Sequence, residues 1–328
     1  MIINTSRSRS DAANNIFGYS NFVAVAAMGL LLTGTSSAAT TTAAPQACWV
    51  ETSAGNMPGG LGGAGLRETK IWHSTISSIL VRDPNGDVLI DTGLGPNAAP
   101  QMSELPPAGK AFGLQVVGGA KGRKSLIAAL AMVGESPARV KRIIITHAHY
   151  DHLGGATVLT APIYVAAAEA TWMASQAANP TFTPPSLIAA VKSRLHILSY
   201  DSGPYLGFAK SEDVFGDRTI VVVPLPGHTP GSQGMFIKIG DRRVFFIGDA
   251  TDTLEAAERG LPKSAPIRGA TDFEPKIADD TSKRIAAFHR SHPEIALIPA
   301  HDRVAYLAAF GHPAACVANF PSTIGANK

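Results

Sequence analysis

The chain predicts a layered α/β sandwich with mixed sheets. Two observations carry this: short β-branched runs alternate with stretches at helical spacing, and several of the runs pair as hairpins. A third observation concerns placement. The apolar runs repeatedly end on an ionisable side chain, and α/β sheets collect their sites at strand ends.

In chain order, residues 74–82 and 88–91 read as strands joined by Asp83-Pro84-Asn85-Gly86-Asp87, a hairpin turn sequence. Residues 125–133 are apolar at helical spacing. They lead to Arg142-Ile143-Ile144-Ile145, which is β-branched and too brief for a stable helix, and so reads as a buried strand. Ile163-Tyr164-Val165 and residues 166–175 read as strand then helix. Residues 194–198 and 220–223 are strand-like. Residues 235–238 and 243–247 flank Gly240-Asp241 as a second hairpin, and the helical stretch 280–290 feeds a last strand at 295–300. Residues 93–122, 179–187 and 252–276 are rich in Gly, Pro and Ala or weakly periodic, and read as loops that could cover a site. Trp72, His73, Phe112, Trp172, Phe182 and Phe273 are candidate pocket residues, with core packing or loop anchoring as the alternative.

The chain's 328 residues suffice for one large core or two small domains. A hydrophobic fraction of 45% with 16% charged residues reads as globular, with no disordered signature. A net charge of +3, with one basic cluster at residues 121–124, argues against a nucleic-acid partner. Arg7 and Arg9 precede an apolar run over residues 22–32, and small residues follow up to Ala39. That run is too short to span a bilayer, so residues 1–39 read as a cleaved signal peptide, leaving no stable membrane anchor and a periplasmic or secreted protein. Residues 40–69 read as an N-terminal extension and 70–328 as the functional domain. Cys48 and Cys316 lie near the two ends of the mature chain. In an oxidising compartment they could close one disulfide; the alternative is two unpaired thiols.

The most informative segment is Thr146-His147-Ala148-His149-Tyr150-Asp151-His152, directly after the strand at 142–145. Residues i and i+2 of an extended chain share a side, so His147 and His149 can hold one ion together. After a turn, Asp151 and His152 can address a second. Burying so many ligand-type side chains without a cation would be costly. His228 in Pro226-Gly227-His228-Thr229-Pro230-Gly231, Asp249 after residues 244–248, and His301 after residues 295–300 repeat the pattern of strand followed by ligand.

With these residues in place the chain resembles the metallo-β-lactamase superfamily, whose hallmark is His-x-His-x-Asp-His followed by a later His, Asp and His. The resemblance covers roughly residues 70–305 and includes Leu89-Ile90-Asp91-Thr92-Gly93. It implies the four-layer αβ/βα sandwich and two divalent metal ions of the zinc type. By the resemblance His147, His149 and His228 would hold one ion, Asp151, His152 and His301 the other, and Asp249 would bridge them. Asp91 would fix the orientation of backbone and ligands. A hydroxide bridging the ions would be the nucleophile, with Asp151 as the catalytic residue that orients it or takes up its proton.

The resemblance points to a small-molecule lactone or ester as substrate. Organophosphate and β-lactam hydrolysis are the alternatives, followed by an iron-dependent oxidoreductase on the same fold and a non-catalytic binding protein. Asp249 counts against a true β-lactamase, which typically lacks a bridging carboxylate there. Acyl-homoserine lactonases often carry a tyrosine three residues after that aspartate; this chain has Asp252, which counts against that specific activity.

Overall fold

The computed structural model describes residues 44–119, 122–178 and 181–321, so residues 1–39, read from the sequence as a signal peptide, lie outside the described residues. The strands and helices run β1 (Gln46–Pro58), β2 (Ile71–Arg82), β3 (Asp87–Ile90), α1 (Ala98–Gln101), α2 (Pro107–Gly119), α3 (Leu126–Met132), β4 (Val140–Ile144), α4 (Tyr150–Leu153), β5 (Ile163–Ala166), α5 (Ala167–Gln176), α6 (Pro185–Val191), β6 (Leu195–Leu198), β7 (Glu212–Asp213), β8 (Ile220–Pro224), β9 (Gln233–Ile239), β10 (Arg242–Gly248), α7 (Leu254–Arg259), α8 (Ala265–Thr271), α9 (Pro275–Ser291), β11 (Ala296–Pro299), α10 (Arg303–Phe310) and β12 (Cys316–Val317).

They form two mixed sheets, as the interleaved pattern predicts. One has the order β12-β1-β2-β3-β4-β5-β6 and the other β11-β10-β9-β8-β7. In the first, β12 through β3 pair antiparallel and β3 through β6 parallel. In the second only β10 and β11 are parallel. Alternation along each strand builds two cores. Trp49, Ile79, Val81 and Ile90 pack with Val222, Met235 and Phe246 of the second sheet. Cys48, Val50, Leu80 and Leu89 face the other way, onto Leu126, Leu130, Leu187 and Val191 of the helices. Strands buried on both faces explain why the sequence shows continuous apolar runs instead of a polar/apolar alternation.

The described part of residues 40–69, from residue 44 on, is not an extension outside the domain. Gln46–Pro58 is a full strand of the first sheet, paired with β2 along its length. Trp49 donates from Nε1 to Ser77 Oγ at 2.8 Å and stacks on Tyr306 of α10 at 5.2 Å between ring centroids. Truncating a buried aromatic of this kind costs about 3–5 kcal/mol, so the strand belongs to the core. Cys48 and Cys316 are joined by a disulfide across the β1–β12 pair. The segment 93–122 contains α1 and α2, and 252–276 contains α7 and α8, so these covers are helical.

The pairing of β1 with β2 slips in register between Glu51 and Ser53. A slip of this kind re-aims the strand that follows. Beyond it, Ser53 to Met57 form one wall of the cavity described next.

Candidate metal centre and its cavity

All seven sequence-predicted ligands meet at the C-terminal ends of β4, β8, β10 and β11. His147 and His149 follow β4, and Asp151 and His152 lie on α4 immediately after. His228 sits in the turn after β8, Asp249 directly after β10, and His301 two residues beyond β11. Two glycines make the approach feasible. Gly227 has φ of +130°, and a Cβ there would collide with the backbone of Ala278 on α9. Gly248 has φ of +54°, and a Cβ would stand 2.8 Å from that of Thr146. Both turns therefore need a residue without a side chain.

Three groups of candidate ligand atoms result: His147, His149 and His228; His147, His152 and Asp249; and Asp151, His152 and His301. His228 Nε2 lies 3.1 Å from His147 Nε2, and His152 Nε2 3.3 Å from His301 Nε2. Asp249 reaches both sides, with carboxylate oxygens 3.2 Å from His301, 3.3 Å from His152 and 3.4 Å from His228.

The opposite nitrogens explain why the Nε2 atoms converge. His152 Nδ1 donates to Asp91 at 2.9 Å, and His301 Nδ1 donates to the Thr75 carbonyl at 2.8 Å. His228 Nδ1 meets Asp272 at 2.8 Å, and His147 Nδ1 lies 3.0 Å from Thr146 Oγ1. With Nδ1 engaged on these outer partners, it is each Nε2 that faces the centre, where it offers a lone pair once unprotonated. Lone pairs 3.1–3.3 Å apart repel unless a proton or a cation lies between them. Asp249 Oδ1 is buried without a hydrogen-bond partner among the described residues. Imidazole and carboxylate donors of this number suit two hard or borderline divalent ions, so the residues fit the group.

Asp91 stands where it can orient His152 and the backbone of Thr146. It is fully buried, has φ of +55°, and accepts from Thr146 N at 2.7 Å and Thr146 Oγ1 at 2.9 Å as well as from His152. A left-handed conformation at a non-glycine is strain of the sort that concentrates at sites.

Sequence reasoning missed three residues. Glu169 of α5 is buried and accepts from Ala148 N at 2.6 Å, Thr229 Oγ1 at 2.6 Å and Gly231 N at 3.1 Å. It thereby ties the His147–His149 segment to the His228 turn. Burial raises its carboxyl to about 7 against the pull of those hydrogen bonds. Asp272 and Lys263 back His228: Lys263 Nζ lies 3.3 Å from Asp272 and 2.8 Å from His228 Nδ1. The signal available in sequence was only an ionisable residue within an apolar or loop segment.

Burial holds His147 and His149 well below the ordinary imidazole range, reinforced by neighbouring histidines, and lowers His228, where Lys263 adds to the effect. Burial also opposes charge on His152 and His301. There Asp249 outweighs it, aided by Asp151 and, at His152, by Asp91; His152 rises well above the ordinary range and His301 to about 9. Burial raises Asp252 to about 6 despite Lys263 beside it.

A cavity of about 390 Å³ opens over the centre. Asp151, His149, His228, Asp249 and His301 form its floor, and Trp72, Ile76, Phe112, Val116, Phe182 and Ile267 much of its wall. Of the candidate pocket aromatics, Trp72, Phe112 and Phe182 line it. His73 instead bonds Asn56 on the exposed β1–β2 edge at 2.8 Å, and Trp172 packs behind His149 and against Phe273.

Residues 73–301 match the sequence profile of the metallo-beta-lactamase superfamily. The chain belongs to this superfamily. A probable metallo-hydrolase of Mycobacterium tuberculosis is 28% identical over 240 residues, covering 68% of this chain and 73% of that protein. The N-acyl homoserine lactonase AiiA of Bacillus thuringiensis subsp. kurstaki is 25% identical over 226 residues, covering 67% and 78%. Among solved structures, an N-acyl homoserine lactone hydrolase with N-hexanoyl-L-homoserine bound at its catalytic metal center superposes with TM-score 0.57 at 21% identity, covering 79% of this chain and 94% of that one. The dizinc quorum-quenching lactonase AidC gives TM-score 0.54 at 17% identity, covering 79% and 88%. At such identities these structures speak for the fold. Superfamily membership and the metallo-hydrolase relatives make this chain a metal-dependent hydrolase.

Proposed function

We propose that this protein is an exported hydrolase that uses two divalent ions, zinc by preference, to cleave a small-molecule lactone or ester. The observation that carries the reading is the convergence of seven ligand-type side chains beneath a cavity whose wall is mainly apolar. Bound there, the ions would supply Lewis acidity, polarising the scissile carbonyl and acidifying water so that hydroxide is available near neutral pH. His147, His149 and His228 would hold one, Asp151, His152 and His301 the other, with Asp249 shared.

The chain's own residues do the rest. Asp151, on the cavity floor, can orient the nucleophilic water and accept its proton on a carboxylate oxygen, then return a proton to the leaving alkoxide. The apolar wall binds the acyl or alkyl part of the substrate and excludes bulk water. Export is supported by the basic-then-apolar start of the sequence and by the Cys48–Cys316 disulfide, which suits an oxidising compartment.

The test is metal analysis and turnover of the mature protein on lactones, aryl esters, phosphotriesters and β-lactams. Two ions per chain with chelator-sensitive cleavage of lactones or esters is the expected result. Exclusive cleavage of phosphotriesters or β-lactams would overturn the substrate class, and one iron per chain with oxygen uptake would overturn the hydrolase.

A further inference from the structure

The cavity wall formed by α8 is held by little packing. Ile267 is the one buried residue of the helix, and it lines the cavity with Pro266 and Thr271. Arg268 ties α8 to Asp279 of α9, and both ends of the helix are clasped onto the ligand His228. Lys263 stands two residues before α8 and Asp272 directly after it, their side chains 3% and 1% exposed and 3.3 Å apart. Both reach the same atom: Lys263 Nζ and Asp272 Oδ1 each lie 2.8 Å from His228 Nδ1. The backbone continues the attachment, as Phe273 N donates to the His228 carbonyl at 3.0 Å and Glu274 N to the Gly227 carbonyl at 2.9 Å.

His228 Nδ1 can serve Lys263 or Asp272, not both. Without a proton it accepts from Lys263; with one it donates to Asp272. A neutral imidazole that holds an ion through Nε2 keeps its one proton on Nδ1, so Asp272 is then its partner. Lys263 is left to the carboxylates of Asp272 and Asp252, 3.3 and 3.5 Å away. Filling the three-histidine side therefore ends the competition and closes the clasp around α8. A bound ion shifts a conformational equilibrium only through a difference of this kind.

We propose that Lys263 and Asp272 are positioning residues that couple the ion held by His228 to the α8 wall, so that this part of the cavity becomes fixed when the ion binds. The inference rests on the proposed occupation of His147, His149 and His228 by an ion.

The experiment is hydrogen–deuterium exchange of the protein loaded with zinc and stripped by chelator, with metal content measured on the same samples. In the wild type zinc should slow exchange over residues 264–274 by on the order of 10-fold, and slow α2, which walls the same cavity, far less. The amides of Phe273 and Glu274, bonded to the His228 turn, should be among those slowed. Asp272→Ala, at zinc concentrations that restore two ions, should abolish the slowing. Lys263→Met should reduce it, because nothing then competes for Nδ1. Glu169→Gln, which touches the same turn from α5, should keep it. Bound ions with unchanged exchange over 264–274, equal slowing in α2, or either clasp variant responding as the wild type does would each overturn the proposal. A protein that binds no zinc overturns the metal reading and this inference with it. Absence of turnover with the exchange response intact counts against the hydrolase reading alone.

Discussion

His147, His149 and His228 form one group of candidate ligand atoms and Asp151, His152 and His301 another, with Asp249 within reach of both. Burial works against charge on every histidine of both groups, yet the outcomes are opposite. On the first side the nearest ionisable neighbours are mostly other histidines and Lys263, so the imidazoles stay neutral and are ready to bind a cation. On the second side Asp249, Asp91 and Asp151 surround His152 and His301, which hold protons in the metal-free protein. The same ligand chemistry thus yields one pre-emptied and one protonated half, and the difference lies in the distribution of carboxylates.

The largest effect should come from removing the residue that both halves share. Asp249→Ala withdraws a carboxylate that lies 3.2–3.4 Å from His152, His228 and His301. Metal content should fall on both sides, and turnover by about 10³-fold or more, the scale of losing an electrostatic catalytic element. Metal analysis beside kinetics checks this; a two-ion enzyme with unchanged turnover would refute the shared role.

The next test separates the halves through their supports. Glu169→Gln weakens the link between the His147–His149 segment and the His228 turn, and Asp91→Asn removes the charge that receives His152 Nδ1. Each should lower metal affinity by about 10–100-fold, the usual range for partners behind a ligand. Competitive chelator titration should find the first variant weak on the three-histidine side and the second on the His152 side. Equal weakening of both ions in both variants would mean that the halves are not separable.

These supports also mark the limit of what the sequence displayed. The seven ligands were legible because each follows a strand, and chain position alone predicts the place of the side chain. Glu169, Asp272 and Lys263 were not, because their roles arise only when α5, α8 and the α7–α8 connection pack beside the β8 turn. The cover helix α2 was hidden by its four glycines, at 109, 113, 118 and 119; two of them, Gly109 and Gly113, are buried against Thr181 and Met102, where a Cβ would not fit. β1 was overlooked because both of its faces are buried over residues 47–50, which removes the alternation that identifies a strand.

A smaller effect separates the halves by pH. In the metal-free protein His152 and His301 have pKa values raised above the unfolded value of about 6.5. Their contribution to stability is therefore full below that pH and is lost as pH rises through about 9, the His301 value. His147, His149 and His228 are depressed, so their contribution is present above about 6.5 and is lost as pH falls through their lower folded values. Denaturant unfolding of the chelated protein should show stability declining on both flanks. An ion on the His152–His301 side must also displace protons, so its affinity should weaken below about pH 9, while the three-histidine side holds to lower pH. Simultaneous loss of both ions on acidification would remove the distinction.

The smallest effect is expected from a histidine that belongs to neither half. His196 lies on β6 at the edge of the first sheet, exposed, and stacks on Tyr164 at 5.3 Å. It shares residue type with the ligands but follows no strand end and is in none of the groups of candidate ligand atoms. His196→Ala should leave metal content and turnover at wild-type values and shift stability by no more than about 1 kcal/mol, the worth of one exposed ring contact. If an ion were lost here, residue type would matter more than position at a strand end. The contrast between the two halves would then have to be redrawn around a third group.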